Sequence, residues 1–157
     1  MRFLRASGNR GGAFVAAAAL GIASLGGGVA LASPSSGVEV QELGMVSVPF
    51  GMGDLTVGTD VTLRRIDVAP GGFTGWHWHE GMVYGYVAAG TLTRVFADCS
   101  EAQDPAGSVF QEVRGEDAVH QGVNRGDGVL TVFVVYTAER GEPSTIDAEA
   151  PACATES

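Results

Sequence analysis

Between Val61 and Thr137 no window of eleven residues carries apolar side chains at helical spacing. Short apolar runs recur instead. Val61, Leu63, Ile66 and Val68 alternate loosely before Pro70-Gly71-Gly72. Val83–Val87, Thr91–Phe96, Ser108–Val113 and Val129–Thr137 follow, separated by clusters rich in Gly, Asp, Asn and Pro. A chain punctuated in this way folds as an all-β sandwich or barrel. Val83–Val87 and Thr91–Phe96, joined by Ala88-Ala89-Gly90, are expected to pair as a hairpin. Val38–Val48 suggests one or two edge strands, within an N-terminal segment 33–60. The polar stretch Asp98–Gly107, with Pro105 inside it, reads as a loop. Residues 61–137 form the barrel core, and 138–157 read as an irregular tail.

Histidine is scarce: the chain has three, at 77, 79 and 120. His77 and His79 are two apart, so on an extended strand both side chains leave the same face. Two imidazoles so placed can meet one metal ion. His120 lies in Ala118-Val-His-Gln-Gly-Val-Asn124, and if the two segments are neighbouring strands all three rings can converge. Glu80 and Gln121 are each one residue past a histidine, and this parity points them the opposite way. Trp76 and Trp78 alternate with the histidines and are expected to face away from any metal, as packing residues. Val83, Leu92, Phe110, Val132 and Val134 are candidate cavity walls. Tyr84 reads as packing, with a substrate hydrogen bond as the lesser role. Asn124 reads as a turn residue.

The first 32 residues read as an address. Arg2, Arg5 and Arg10 precede an apolar, Ala/Gly-rich run from about Ala13 to Leu31, and Ala30-Leu31-Ala32 offers a cleavage site before Ser33. A secretory signal peptide is the expectation, with a secreted or extracytoplasmic mature protein and no stable membrane span after cleavage. No tandem arginine pair precedes the run, which favours general secretion. All eighteen acidic residues lie after position 38, whereas three of the nine basic ones belong to the leader. The mature surface is therefore strongly acidic and excludes nucleic acid as a partner. Cys99 and Cys153 are an even pair, and in an oxidising compartment they are expected to bridge the tail to the polar loop.

Around the histidines the sequence resembles the cupin family. Cupins carry a first motif, G-x5-H-x-H-x3,4-E-x6-G, and Gly71, His77, His79 and Gly90 fall at its offsets. Their second motif, G-x5-P-x-G-x2-H-x3-N, keeps only His120 and Asn124 here; its Gly and Pro slots hold Asp117 and Gly115. The glutamate slot of the first motif is Val83. The resemblance spans Val61 to Thr137 and implies a jelly-roll-like barrel with a metal inside, held by His77, His79 and His120. Iron(II) is the favoured ion, with Zn, Mn, Ni or Cu as alternatives, since imidazole suits most first-row metals. Without the motif glutamate, three neutral ligands would leave the dication its full charge and favour an anionic or chelating small molecule. That is similar to the three-histidine subset of cupin-type dioxygenases. A hydroxide-forming zinc site and a non-catalytic metal- or ligand-binding module are the other readings, and a homodimer through exposed strand edges is open.

Overall fold

The computed structural model describes residues 35–49, 51 and 58–154; the leader expected over residues 1–32 lies outside them. Among the described residues ten strands run in the order β1 (Ser36–Ser47), β2 (Thr59–Phe73), β3 (His77–Trp78), β4 (Val83–Ala89), β5 (Thr91–Phe96), β6 (Glu101–Pro105), β7 (Val109–Glu112), β8 (His120–Asn124), β9 (Leu130–Glu139) and β10 (Ile146–Asp147). Helical structure among the described residues is limited to two three-residue 3-10 turns, Glu116–Ala118 and Ala152–Ala154. All pairings are antiparallel. One set of neighbours is β1-β2-β9-β4-β7 and the other is β10-β3-β8-β5-β6. β2 joins them: Val61–Val68 pair with β9, and Phe73 pairs with Val123 of β8. The result is a nearly closed, barrel-like jelly roll.

Pro70-Gly71-Gly72 does not end β2 as the sequence suggests. Three residues are bulged out against β1, whose Ser36 pairs with Phe73 and whose Val38 already pairs with Val68. Gly71 takes φ 73°, and a Cβ on Gly72 would lie 2.7 Å from the Ser36 carbonyl oxygen. Only glycines fit this bend, and the bend carries the strand from one sheet to the other.

The expected β4–β5 hairpin does not form. β4 pairs with β7 and β9, whereas β5 pairs with β6 and β8. Gly90, at φ 79°, turns the chain from the first sheet into the second instead of back along its own edge. Both edges of each strand are occupied by other partners, β7 and β9 for β4, β8 and the next strand β6 for β5, and these ladders outweigh the turn at Gly90. The expected loop at 98–107 is also corrected, because Glu101–Pro105 is β6. It pairs only with β5, and an edge strand tolerates Pro105, which has no N–H to offer a second neighbour. In the tail, β10 pairs with β3 and Cys99–Cys153 is a disulfide.

The core lies between the sheets. Ile66, Val68, Val83, Val87, Leu92, Phe110, Leu130, Val132, Val134 and Tyr136 form one buried cluster, so all five expected wall residues belong to it. Along β9 the pattern is strict alternation, even positions in and odd positions half out. Gly85 sits opposite Phe110, and a Cβ there would come within 2.0 Å of the phenyl ring. Gly85→Ala should therefore displace Phe110 and destabilise the fold by about 1–3 kcal/mol. Phe110→Ala should cost about 3–5 kcal/mol through the lost packing. Urea unfolding midpoints of the two variants against wild type measure both effects.

Candidate metal centre

β3 and β8 meet at one register point, where His77 lies directly opposite His120. Cross-strand partners project from the same face, so their rings are neighbours, and His79 two residues on shares that face. The three ring centroids are 4.6, 4.9 and 5.1 Å apart. All three residues are buried, at 7%, 1% and 3% exposure respectively. One ligating nitrogen from each can be chosen so that all three lie within 4.8 Å of one another.

Each ring is held from behind in the same manner. His77 Nδ1–H donates to the Gly75 carbonyl at 2.9 Å, His120 Nδ1–H to the Ala118 carbonyl at 2.8 Å, and His79 Nδ1–H to the Ser144 carbonyl at 2.7 Å. A carbonyl oxygen only accepts, so the proton sits on Nδ1 in every case. Each neutral ring then presents a lone pair at Nε2.

A carboxylate stands among them. Glu112, the last residue of β7, places Oε2 3.2 Å from His79 Nε2 and 3.3 Å from His120 Nε2. Those two nitrogens are buried and have no hydrogen-bond partner. Lone pairs facing a carboxylate repel unless something positive lies between them. The donor set therefore fits a divalent transition metal: three imidazole nitrogens fixed from behind and one anionic oxygen. The expectation of a site without a carboxylate is corrected. The slot read as Val83 is a core position at 1% exposure, and the acid comes from another strand.

The electrostatics follow from the same crowding. Burial works to raise the Glu112 carboxyl, but in the metal-free protein a second proton taken up at Nε2 supplies the positive partner the lone pairs lack, and the resulting hydrogen bond and charge from His120 and His79 hold the group well below the usual carboxylate range. Burial opposes charging of His120, yet Glu112 outweighs it and raises the imidazole above its ordinary value. His77 is pushed down to about 3, first by burial and then by the neighbouring His120 and His79.

Two further interior residues, besides Glu112, escaped the sequence reading. Tyr136 lies 5.6 Å from His79, ring to ring, and burial pushes its hydroxyl up, so it stays protonated. The Arg64 guanidinium lies over that tyrosine ring, 5.1 Å from its centroid, and donates to Ser144 Oγ at 2.9 Å. Parity was the available signal. Glu112 is two residues past Phe110, Tyr136 two past Val134, and Arg64 two before Ile66, all on inward faces.

A cavity of about 580 Å³ opens beside the centre, with Arg94, Phe96, Gln111, Glu112, Val119 and His120 among its walls. Arg94 donates from Nε to Asp104 at 2.8 Å and from Nη1 to the Gln111 carbonyl at 3.1 Å, with Phe110 and Phe96 against its guanidinium. Other candidates sit elsewhere. Glu80 is exposed, Tyr84 is 47% exposed, and Trp76 and Trp78 are half-buried. Buried Asn124 donates to the Val68 and Gly128 carbonyls and accepts from Gly126 N–H, which closes the turn after β8.

Residues 64–136 match the family model described as a cupin domain. That stretch, from within β2 to within β9, is a cupin domain. Solved structures agree on the fold. The polyketide cyclase RemF from Streptomyces resistomycificus is 22% identical, with 80% of this chain and 82% of that one covered at a TM-score of 0.56. A cupin-2 domain protein from Rhodospirillum rubrum is 21% identical over 79% and 74%, at 0.55. A recombinant oxalate oxidase in complex with glycolate is 25% identical over 74% of this chain and 57% of its own, at 0.51. A comparison with curated protein sequences finds no match.

The His77 shift sets a pH dependence in the metal-free protein. Folded His77 stays neutral down to about pH 3, whereas the unfolded chain takes up that proton near 6.5. Its contribution is therefore complete above about pH 6.5 and is lost as pH falls toward 3, at about 1.4 kcal/mol per pH unit. Urea midpoints of chelator-treated protein should show this loss between pH 6.5 and 4, and His77→Gln should remove it. Parallel curves for the two proteins would contradict the assignment.

Proposed function

We propose that this protein is an exported, metal-dependent cupin enzyme. His77, His79, His120 and Glu112 hold one divalent transition metal, iron(II) first, and the cavity beside them takes a small anionic or chelating organic molecule. The observation that carries this reading is the convergence of buried, partnerless Nε2 lone pairs on a carboxylate. When bound, the metal supplies Lewis acidity and a place to activate O₂ or a chelating substrate.

The chain's own residues do the rest. The three backbone carbonyls keep the rings in one tautomer and one orientation. Glu112 stays ionised and cancels one charge of a dication, so the site is less electrophilic than three histidines alone would make it. Tyr136 keeps its proton and serves as a neutral donor beside His79. Arg94 brings positive charge to the cavity wall, suited to a carboxylate or enolate, while Phe96 and Val119 exclude water from its apolar part. The glycolate-bound oxalate oxidase among the structural neighbours supports a small hydroxy acid or dicarboxylate as the first ligands to try. Export is supported by the leader composition and by the Cys99–Cys153 disulfide, a bond characteristic of oxidising compartments.

Protein purified without a histidine tag should contain one transition metal per chain, and His77→Ala/His79→Ala should contain none. Glu112→Gln should bind the ion at least about tenfold more weakly, given that even residues behind the ligands contribute 10–100-fold. Iron-loaded protein should consume O₂ with one member of a panel of hydroxy acids, diketones, thiols and phenols. Stoichiometric metal with no turnover across that panel would favour a non-catalytic binding module. In a separate measurement, N-terminal sequencing of protein recovered outside the cytoplasm should begin at Ser33; a start at Met1 would contradict cleavage after Ala32.

A further inference from the structure

His77 and His120 are held by carbonyls two residues away, but the partner of His79 lies 65 residues along the chain. That partner, Ser144, belongs to the strap that leaves β9 after Glu139. The strap holds three parts of the centre together. Its Ser144 carbonyl accepts from His79 Nδ1, and its Ser144 hydroxyl accepts from Arg64 at 2.9 Å. Ile146 and Asp147 pair with Trp78 and His77, and Ala148 N–H donates to the Trp76 carbonyl at 3.0 Å. β3 is two residues long and carries a histidine of the cluster, and among the described residues its ladder partners are β8 on one edge and β10 on the other. Six residues beyond β10, Cys153 is bonded to Cys99, between Asp98 and Ser100 at the wall of the cavity beside the centre.

We propose that Ser144 and its strap are the positioning element of the metal centre, and that the Cys99–Cys153 bond makes this positioning depend on oxidation. The inference rests on the metal-binding reading above only for its effect on affinity; the effect on His79 itself needs no metal. Reduction by a dithiol breaks one S–S bond, delivers two electrons and two protons, leaves two thiols on the chain and converts the dithiol to its own disulfide. Without that bond the strap is held by polar contacts such as the β10 pairing, the Ala148–Trp76 hydrogen bond and those of Arg140 with Gly58 and Asp60, with no buried core residue among Arg140–Ala154, so that the Ser144 carbonyl can part from His79. His79 loses its fixed acceptor and its ring is free to exchange tautomer and to turn. His77 and His120 keep theirs.

Two measurements on the mature chain test this. The first is ¹⁵N histidine NMR of metal-free oxidised protein, of dithiol-reduced protein after removal of the reductant without air, and of Cys99→Ser/Cys153→Ser. His79 should move from a single Nδ1–H tautomer to a mixture in both bond-free forms, while His77 and His120 stay as they are and far-UV circular dichroism is unchanged. The second is cobalt(II) titration followed by its visible absorption, where both bond-free forms should bind about tenfold or more weakly than the oxidised protein. An unchanged His79 signal overturns the proposal. So does simultaneous change at all three histidines with loss of circular dichroism, which would make the disulfide a general staple. Oxidised protein that takes up no cobalt but shows the selective His79 change would sink the metal reading and leave the strap's role standing; equal cobalt affinity in all three forms would remove the oxidation dependence of binding.

Discussion

Each imidazole in this barrel has given its one proton to a main-chain carbonyl, and the centre depends on that commitment. A histidine with both nitrogens free can rotate, swap tautomer or pick up a proton. One whose Nδ1–H is spent on Gly75, Ser144 or Ala118 has a single lone pair left, aimed inward. Three such lone pairs and the Glu112 carboxylate occupy one buried volume, and a cation is what makes their proximity favourable. The electrostatic signs agree: Glu112 is held ionised, His120 is drawn toward its charged form, and His77 is driven away from it.

The fold is arranged so that these groups meet although they are far apart in the chain. β2 is long enough to serve both sheets because its bulge at Gly71-Gly72 lets it change direction, and Phe73 hands the chain to β8. β3 then needs only two residues to set His77 against His120. Glu112 comes from β7 of the opposite sheet, so the centre bridges both layers of the jelly roll. Core packing between Val83, Phe110, Val134 and Tyr136 fixes how closely that carboxylate approaches.

Much of this was legible in the residues. The period-two patterning gave the all-β class, and the spacing of His77, His79 and His120 gave the cluster. The even cysteine pair gave the bridge. What local pattern could not reveal was which strands pair. Val83–Val87 and Thr91–Phe96 look like a hairpin because a short turn joins them, and only the competition from β7, β9, β6 and β8 shows otherwise. Glu112 was missed for a related reason. Attention to the motif slot at Val83 suggested an absent acid, whereas parity with Phe110 on a neighbouring run placed one inside. Arg64 and Tyr136 sit on faces already read as core, where a polar residue draws no notice until its neighbours are known.

The strap gives the barrel a direction in time as well as in space. Ser144 is made 65 residues after His79, and after the strands bearing His77 and His120. A segment can pair only once it has been made. His79 therefore has no anchor until residues 140–147 have been made, and a chain truncated before them lacks the acceptor of its third imidazole. The centre is thus complete only when the strap has joined the strands that carry its ligands.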